Sequence, residues 1–430
     1  MSEKKLATRL TDFLREIYSC VHCGYCLEAC PARDASYFDV YGSRGKMQLF
    51  KSLLEGKTGI SKDFADRIFN CALCGWCTYK CPEELPTTDI FVAARHECVS
   101  KGIRFMTIEA ARKYLLKNQN PFGASDSERI EWSKGLNLKR SGEIALFASC
   151  MNPLMGYTEL INVLGIPFEK LVELFKSLEE MELDRFVREI AGIVNPNEYY
   201  QEVLRRAVKI LRFIGIEPAY LHEDEPCCGK PLHTYGYLED FVKQAEYTAK
   251  MLKERGIKTL ILLNPVCLYV FRVLYPKFLG NFDIDSKHIS EILAENLDKW
   301  SNRAAFRNPV KVTYHDPCYL TRYLDVIEAP RIVINSIRGV ELVEPEYTKK
   351  ETYCDGGGGV EVTHPEAAVK MAARRARMLL ETGARKIVTA CPACVAMIRV
   401  GLRAINAPED IEVIDLVDLV YEALIQNMEL

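Results

Sequence analysis

Four short runs of nearly uninterrupted apolar residues mark this chain, at 144–148, 259–263, 310–314 and 386–390. Runs of this length and character read as strands buried in a parallel sheet. Helical stretches follow them, so the pattern from residue 143 onward predicts an α/β fold. Before that point the apolar spacing is helical. Residues 83–116 read as helix, and so does the segment after Ser43, which is placed as an N-cap. Residues 118–142 are polar and broken by Pro and Gly, and read as a linker. Residues 154–215 are helical by periodicity, in KLVELFKSLEEM and EYYQEVLRRAVKILRFIG. They read as added core, with a cap over a site or a partner-docking segment as the second reading.

No run of 18 or more apolar residues is present, so no bilayer span is expected. The first twenty residues read as a charged amphipathic helix without the apolar stretch of a signal peptide. A cytoplasmic protein is expected, and any membrane association would be peripheral, on the cytoplasmic face. The net charge of −3 and pI near 6.3 argue against a nucleic-acid-binding surface. Arg44 and Lys46 read as the solvated start of a helix, or else as facing a partner's acidic surface.

Cysteine changes the picture most. There are 17, and in a chain of 430 residues with no secretory signal, clustered thiols imply metal rather than disulfides. Only Cys98 stands outside the clusters, and it reads as an ordinary buried or helical thiol. Eight others fall in two runs, Cys20-x2-Cys23-x2-Cys26-x3-Cys30-Pro31 and Cys71-x2-Cys74-x2-Cys77-x3-Cys81-Pro82. This is the bacterial ferredoxin spacing, in which the fourth cysteine of each run ligates the other run's cluster. Cluster one is therefore assigned Cys20, Cys23, Cys26 and Cys81, and cluster two Cys71, Cys74, Cys77 and Cys30. Zinc sites use CxxC pairs separated by a longer loop, so two [4Fe–4S] clusters are the better reading. Gly24 and Gly75 follow the second cysteines, where the backbone must fold close to the cluster.

The remaining eight cysteines lie at or just beyond the carboxyl ends of the strand runs, or between them. In open α/β sheets that edge is where ligands bind. They form an internal repeat: Cys150, Cys227-Cys228-Gly229, then Asn264-x2-Cys267; and Cys318, Cys354-Asp355-Gly356, then Cys391-x2-Cys394. From Cys228 to Asn264, from Asp355 to Cys391 and from Cys318 to Cys354 the intervening residues number 35 each time, which points to duplication.

This constellation resembles the cysteine-rich CCG domain of the heterodisulfide reductase B/D family. Relatives of that family include the iron–sulfur subunits of glycolate oxidase, anaerobic glycerol-3-phosphate dehydrogenase and lactate-utilisation enzymes. A ferredoxin domain fused ahead of two such repeats looks like the D-type subunit. His315-Asp316-Pro317-Cys318 and the glycine run 356–359 also match the family pattern. The resemblance implies a helical two-cluster ferredoxin domain over 1–117, a linker over 118–142, an α/β repeat one with a helical insertion over 143–308, and an α/β repeat two over 309–430. Two departures stand out. Asn264 occupies a cysteine position in repeat one, and Asp355 occupies one in repeat two. Four cysteines per repeat still suffice for one cubane, and a carboxylate can bind iron, though less softly than thiolate. Repeat two (Cys318, Cys354, Cys391, Cys394, with Asp355) is the preferred site of a further iron–sulfur cluster. Repeat one (Cys150, Cys227, Cys228, Cys267) is the secondary candidate, and a metal-free remnant is its other reading. His315 reads as structural, with proton donation by it or by His233 as the alternative. The glycine run lacks the order of a nucleotide-binding loop.

The implied function is an iron–sulfur electron-transfer subunit of an anaerobic or respiratory oxidoreductase. It would relay electrons between a flavin dehydrogenase or soluble donor and a quinone or cytochrome partner. The alternative is a catalytic heterodisulfide reductase component that cleaves a disulfide at a C-terminal cluster. A non-catalytic scaffold is a third reading, disfavoured by sixteen cysteines in redox spacing. Flavin, if any, would sit in another subunit.

Overall fold

The computed structural model describes residues 8–163 and 196–426. The N-terminal part is helical. Ser43–Leu54 turns Met47 and Phe50 inward, and Lys62–Phe69 turns Phe64, Ala65, Ile68 and Phe69 inward. Both meet Thr87–Ser100, whose Ile90, Phe91 and Ala94 are fully buried. The Phe50 ring sits 6.1 Å from that of Phe64 and 5.7 Å from that of Phe91. Burial of such a ring stabilises by about 1.5–3 kcal/mol. Cys98 is sealed within Thr87–Ser100, and burial pushes its thiol up to about 12.

Two expectations need correction here. Ser43 is the first residue of its helix and Gly42 holds the cap position; the Ser43 hydroxyl instead donates to the Cys26 carbonyl at 3.4 Å. Lys46 faces neither solvent nor a partner. The helical period carries it inward beside Met47 and Phe50, where its ammonium donates to the carbonyls of Tyr41 and Asn70. Arg44 is paired with Asp39.

The rest of the chain is built on two parallel sheets. The first holds β1 (Ile144–Phe147), β2 (Thr259–Leu262) and β3 (Asp285–His288), in that order. The second holds β4 (Ala305–His315), β5 (Arg338–Leu342), β6 (Lys386–Thr389) and β7 (Glu412–Asp415), in the order β5-β4-β6-β7. The predicted runs became β1, β2, β4 and β6, while β3, β5 and β7 carried no such signal. Pairing of Phe147 with Leu262 and of His315 with Thr389 brings the carboxyl ends level. The fold is thus a helical domain followed by two α/β units. Residues 118–142 carry the short helix Asp126–Ile130 and bury Trp132 against Tyr220, with ring centroids 4.6 Å apart. Of the stretch 154–215, the structure shows helices Gly156–Val163 and Glu198–Phe213; the segment KLVELFKSLEEM lies outside the described residues.

Candidate iron–sulfur and thiolate centres

The first cysteine run folds around a cavity lined by Cys20, Cys23, Cys26 and Cys81, and by Cys77. The second run bounds a cavity lined by Cys30, Cys71, Cys74 and Cys77, and by Cys26. The fourth cysteine of each run therefore lies in the other run's cavity. Cys26, Ser43 and Cys77 line both cavities, so the two share a wall. Gly24 and Gly75 both take left-handed backbone, at φ +92° and +77°, where the loop reverses.

Both donor sets fit an iron–sulfur cluster. Burial pushes the Cys30 thiol up to about 11 and raises Cys77 as well. Buried thiols of this kind hold a shared negative charge only when a bound cation compensates it. Thr87 Oγ donates to Cys77 Sγ at 2.9 Å, a hydrogen bond of the kind that tunes a cluster's potential. A bound [4Fe–4S] cluster would supply one-electron storage in each cavity. The two surroundings differ. Cys23 is exposed, whereas Cys74 and Cys77 are buried.

The loop 71–75 is clasped from two sides. Arg95, buried in Thr87–Ser100, donates to the carbonyls of Cys71 (2.6 Å) and of Thr234 in repeat one (2.8 Å). Arg322 of repeat two donates to the carbonyls of Cys74 (2.7 Å), Lys350 (2.9 Å) and Thr352 (2.7 Å). Tyr323 donates to the Leu73 carbonyl at 2.6 Å. Gly358 passes so close that a Cβ there would lie 2.3 Å from the Ala72 carbonyl oxygen. This packing explains the glycine at 358. Cys74 and Cys354 come together in one buried cluster with Ala72, Trp76 and Tyr353, and the neighbouring Cys354 thiol is the largest cause of the raised Cys74 ionisation.

Repeat one gathers its four cysteines at the carboxyl edge of β1 and β2. The sulfurs of Cys150 and Cys227 are 3.0 Å apart, those of Cys228 and Cys267 3.3 Å, and all four are buried. The contacts with Cys227 and Cys267, with Lys230 assisting, hold Cys228 well below its usual range, while Cys227 and Cys267 are pushed up. Four buried sulfurs gathered in this way are a donor set that suits a soft metal. Asn264 has left the set: its Oδ1 accepts from the Val266 N–H at 2.9 Å and caps the helix Pro265–Tyr269. His233 is buried beside Lys230, with 3.2 Å between Nδ1 and Nζ.

Repeat two gathers Cys318, Cys354, Asp355, Cys391 and Cys394 at the edge of β4 and β6. Cys391 occupies the N-cap position of Pro392–Ala404, the place Asn264 takes in repeat one, but without capping by its side chain. Cys394 is pushed up, first by its contact with Cys391. Asp355 Oδ1 lies 3.9 Å from Cys354 Sγ, and Oδ2 lies 3.3 Å from His315 Nε2. Burial alone would raise the Asp355 carboxyl, but His315, Cys394 and the Gly357 N–H outweigh it and hold it low. Beneath this site Asp316 accepts from Arg331 at 2.9 and 2.7 Å, which fixes the turn leading into Cys318. The residues hidden from sequence reasoning are the buried Arg95 and Arg375 and the half-buried Arg322. Their only sequence signal is a charge inside an otherwise apolar stretch, as at Arg95 in IFVAARHECV.

Comparison with known proteins bears on these centres. A 4Fe-4S dicluster domain matches residues 16–85, and a cysteine-rich domain, CCG, matches 192–272 and again 312–399. The D subunit of the dihydromethanophenazine:CoB–CoM heterodisulfide reductase of Methanosarcina barkeri is 27% identical over 96% of this chain and 95% of its own length. The chain is thus similar over nearly its whole length to that D subunit, and carries a 4Fe-4S dicluster domain and two cysteine-rich matches. It is also 26% identical, over 84% of its length and 47% of the relative's, to an EtfAB:quinone oxidoreductase of Syntrophomonas wolfei. A hypothetical protein from Helicobacter pylori shares its fold, with a TM-score of 0.54 and 12% identity over 96% of this chain and 74% of that one. This chain is an iron–sulfur electron-transfer subunit. It carries two [4Fe–4S] clusters in its N-terminal domain and a further iron–sulfur cluster in its cysteine-rich part, and it works with redox partners. Among the described residues, no helix is long and apolar enough to cross a membrane.

Proposed function

We propose that this chain passes electrons along the line cluster one, cluster two, repeat two. On this reading Cys20, Cys23, Cys26 and Cys81 hold cluster one and Cys71, Cys74, Cys77 and Cys30 hold cluster two. Cys318, Cys354, Cys391 and Cys394, with Asp355, hold the cluster of repeat two, and Cys150, Cys227, Cys228 and Cys267 form the secondary metal site. The partners are a flavoprotein or soluble donor on one side and a membrane cytochrome or quinone subunit on the other, reached by peripheral docking at the cytoplasmic face of the membrane. The observation that carries the reading is that Cys74 and Cys354 share one buried cluster, with Arg322 bridging the Cys74 and Thr352 carbonyls where the second ferredoxin loop meets repeat two.

A second reading is favoured by the full-length similarity to the D subunit of heterodisulfide reductase. Repeat two would then be the place where a disulfide takes up two electrons and two protons to give two thiols. The replacement of cysteine by Asn264 and Asp355 weighs against it.

Iron and acid-labile sulfide, counted per chain on anaerobically purified protein, test the first reading. About eight irons, the content of two four-iron clusters, would sink the route into repeat two. About twelve or sixteen support it. Paramagnetic resonance then separates the two readings: a new signal when thiol is added to oxidised protein supports disulfide chemistry, and an unchanged spectrum supports relay alone.

A further inference from the structure

The two repeats align without a gap between the cysteine pair and the C-x-x-C, because both spans hold 35 residues. Cys228 therefore corresponds to Asp355, Cys267 to Cys394, and Thr248 to Arg375. The last residues of β1 and β4, each three before a cysteine, are Phe147 and His315. Three positions thus change together: Cys228, Phe147 and Thr248 in repeat one are Asp355, His315 and Arg375 in repeat two.

In the structure these three form a chain. Arg375 is fully buried on Pro365–Leu380 and anchored through the Tyr347 carbonyl at 3.0 Å. Its Nε–H donates to His315 Nδ1 at 2.9 Å. A guanidinium has no acceptor, so Nδ1 must present its lone pair and the neutral ring carries its hydrogen on Nε2. That hydrogen faces Asp355 Oδ2 across 3.3 Å. His315 Nε2, an Asp355 oxygen and Cys394 Sγ all lie within 4.8 Å of one another. The tautomer nevertheless removes His315 from any ligand set and makes it a support for the carboxylate.

Asp355 itself is incompletely satisfied. Oδ1 accepts from the Gly357 N–H at 3.4 Å, while Oδ2, sealed from water, makes no aligned hydrogen bond. A buried carboxylate oxygen left in that state is costly unless a cation completes it. Its neighbours are Cys354 and Cys394, as the neighbours of Cys228 are Cys227 and Cys267.

We propose that Arg375 and His315 are positioning residues that present the Asp355 carboxylate as the one oxygen donor to the cluster of repeat two. This rests on the reading of repeat two as a cluster site. A metal-ligand carboxylate held by a second hydrogen-bonding residue is a general device for fixing a ligand's orientation. Oxygen is a harder donor than thiolate and leaves one iron chemically distinct from its neighbours.

The test is Mössbauer spectroscopy of the full chain reconstituted anaerobically with iron-57. The wild type should show a minority doublet of higher isomer shift, equal to one iron of the repeat-two cluster. Asp355→Cys should lose that doublet with no loss of iron. Asp355→Asn, closest in shape, guards against a folding failure of the cysteine variant and should lose it too. His315→Phe and Arg375→Thr, which install the repeat-one residues, should each at least halve it, and His315→Gln, which keeps an N–H donor, should restore it. A doublet that survives Asp355→Cys, or that keeps full strength in both His315→Phe and Arg375→Thr, overturns the proposal. Twelve or more irons with sulfur-only signals would also overturn it while leaving the cluster reading intact. Only eight irons in the wild type would mean that the cluster reading itself has failed, and this proposal with it.

Discussion

Repeat one and repeat two share a spacing and a scaffold, yet repeat two packs its Cys354 into one buried cluster with Cys74 of the ferredoxin domain. Repeat one meets that domain through Arg95, which donates to the Thr234 carbonyl, and through the ion pairs Arg112–Asp240 and Lys277–Asp89. Repeat two meets it through Cys354 and Cys74, with Arg322 and Tyr323 tying the loop in place. Repeat one lost a cysteine to a helix cap, and repeat two exchanged one for a carboxylate with its own buried supports. The same scaffold thus carries a capping asparagine in one copy and a supported carboxylate in the other.

The comparison breaks most sharply by mutation of the thiols. Cys318→Ser with Cys354→Ser should remove about four irons per chain and abolish magnetic interaction between cluster two and its neighbour. Cys150→Ser with Cys227→Ser should leave that interaction as in the wild type, by paramagnetic resonance of the partly reduced protein. Next in size is Arg322→Ala, which strands three partly buried carbonyls; a loss of about 3 kcal/mol is expected in denaturant titration.

The strand ends β3 and β7 supply an opposed pair of pH responses. His288, fully buried, donates from Nε2 to the Leu263 carbonyl at 3.2 Å and accepts at Nδ1 from the Ser290 N–H. Burial first of all lowers it, to about 4. The unfolded chain then binds more protons between about pH 6.5 and 4, so stability falls as pH drops through that window, by at most about 3 kcal/mol. Asp415 is the reverse: burial first, then Asp418, pushes its carboxyl well up, so its contribution falls as pH rises past the usual carboxylate range. His288→Asn should flatten the acid slope of the unfolding midpoint, and Asp415→Asn the opposite one. The smallest effect belongs to Asn264→Cys. Loss of the cap should cost about 1 kcal/mol, with iron content no lower than in the wild type.

The strands that end in the sites were legible because they are central or packed on both faces: 259–263 and 386–390 are apolar from end to end. The three that gave no signal, DSKH, RGVEL and EVID, are short edge strands, and edges carry polar and charged residues. The cysteines announced their chemistry through spacing. The arginines did not, because the carbonyls of Cys74, Lys350 and Thr352 reach Arg322 from parts of the chain far away in sequence. Lys46 misled for the same reason. A lysine in the first turn of a helix looks solvated until the Tyr41 and Asn70 carbonyls that receive it are in place.

The exchange of fourth cysteines between the two cavities carries a consequence for biosynthesis. The first cavity has no fourth thiol wall until residue 81 has been made, and the second borrows Cys30 from a loop synthesised long before its other three. A nascent chain stopped at residue 70 holds neither cavity complete. Neither cavity can therefore be completed before the second run has been made, and truncation before Cys77 should forfeit both at once.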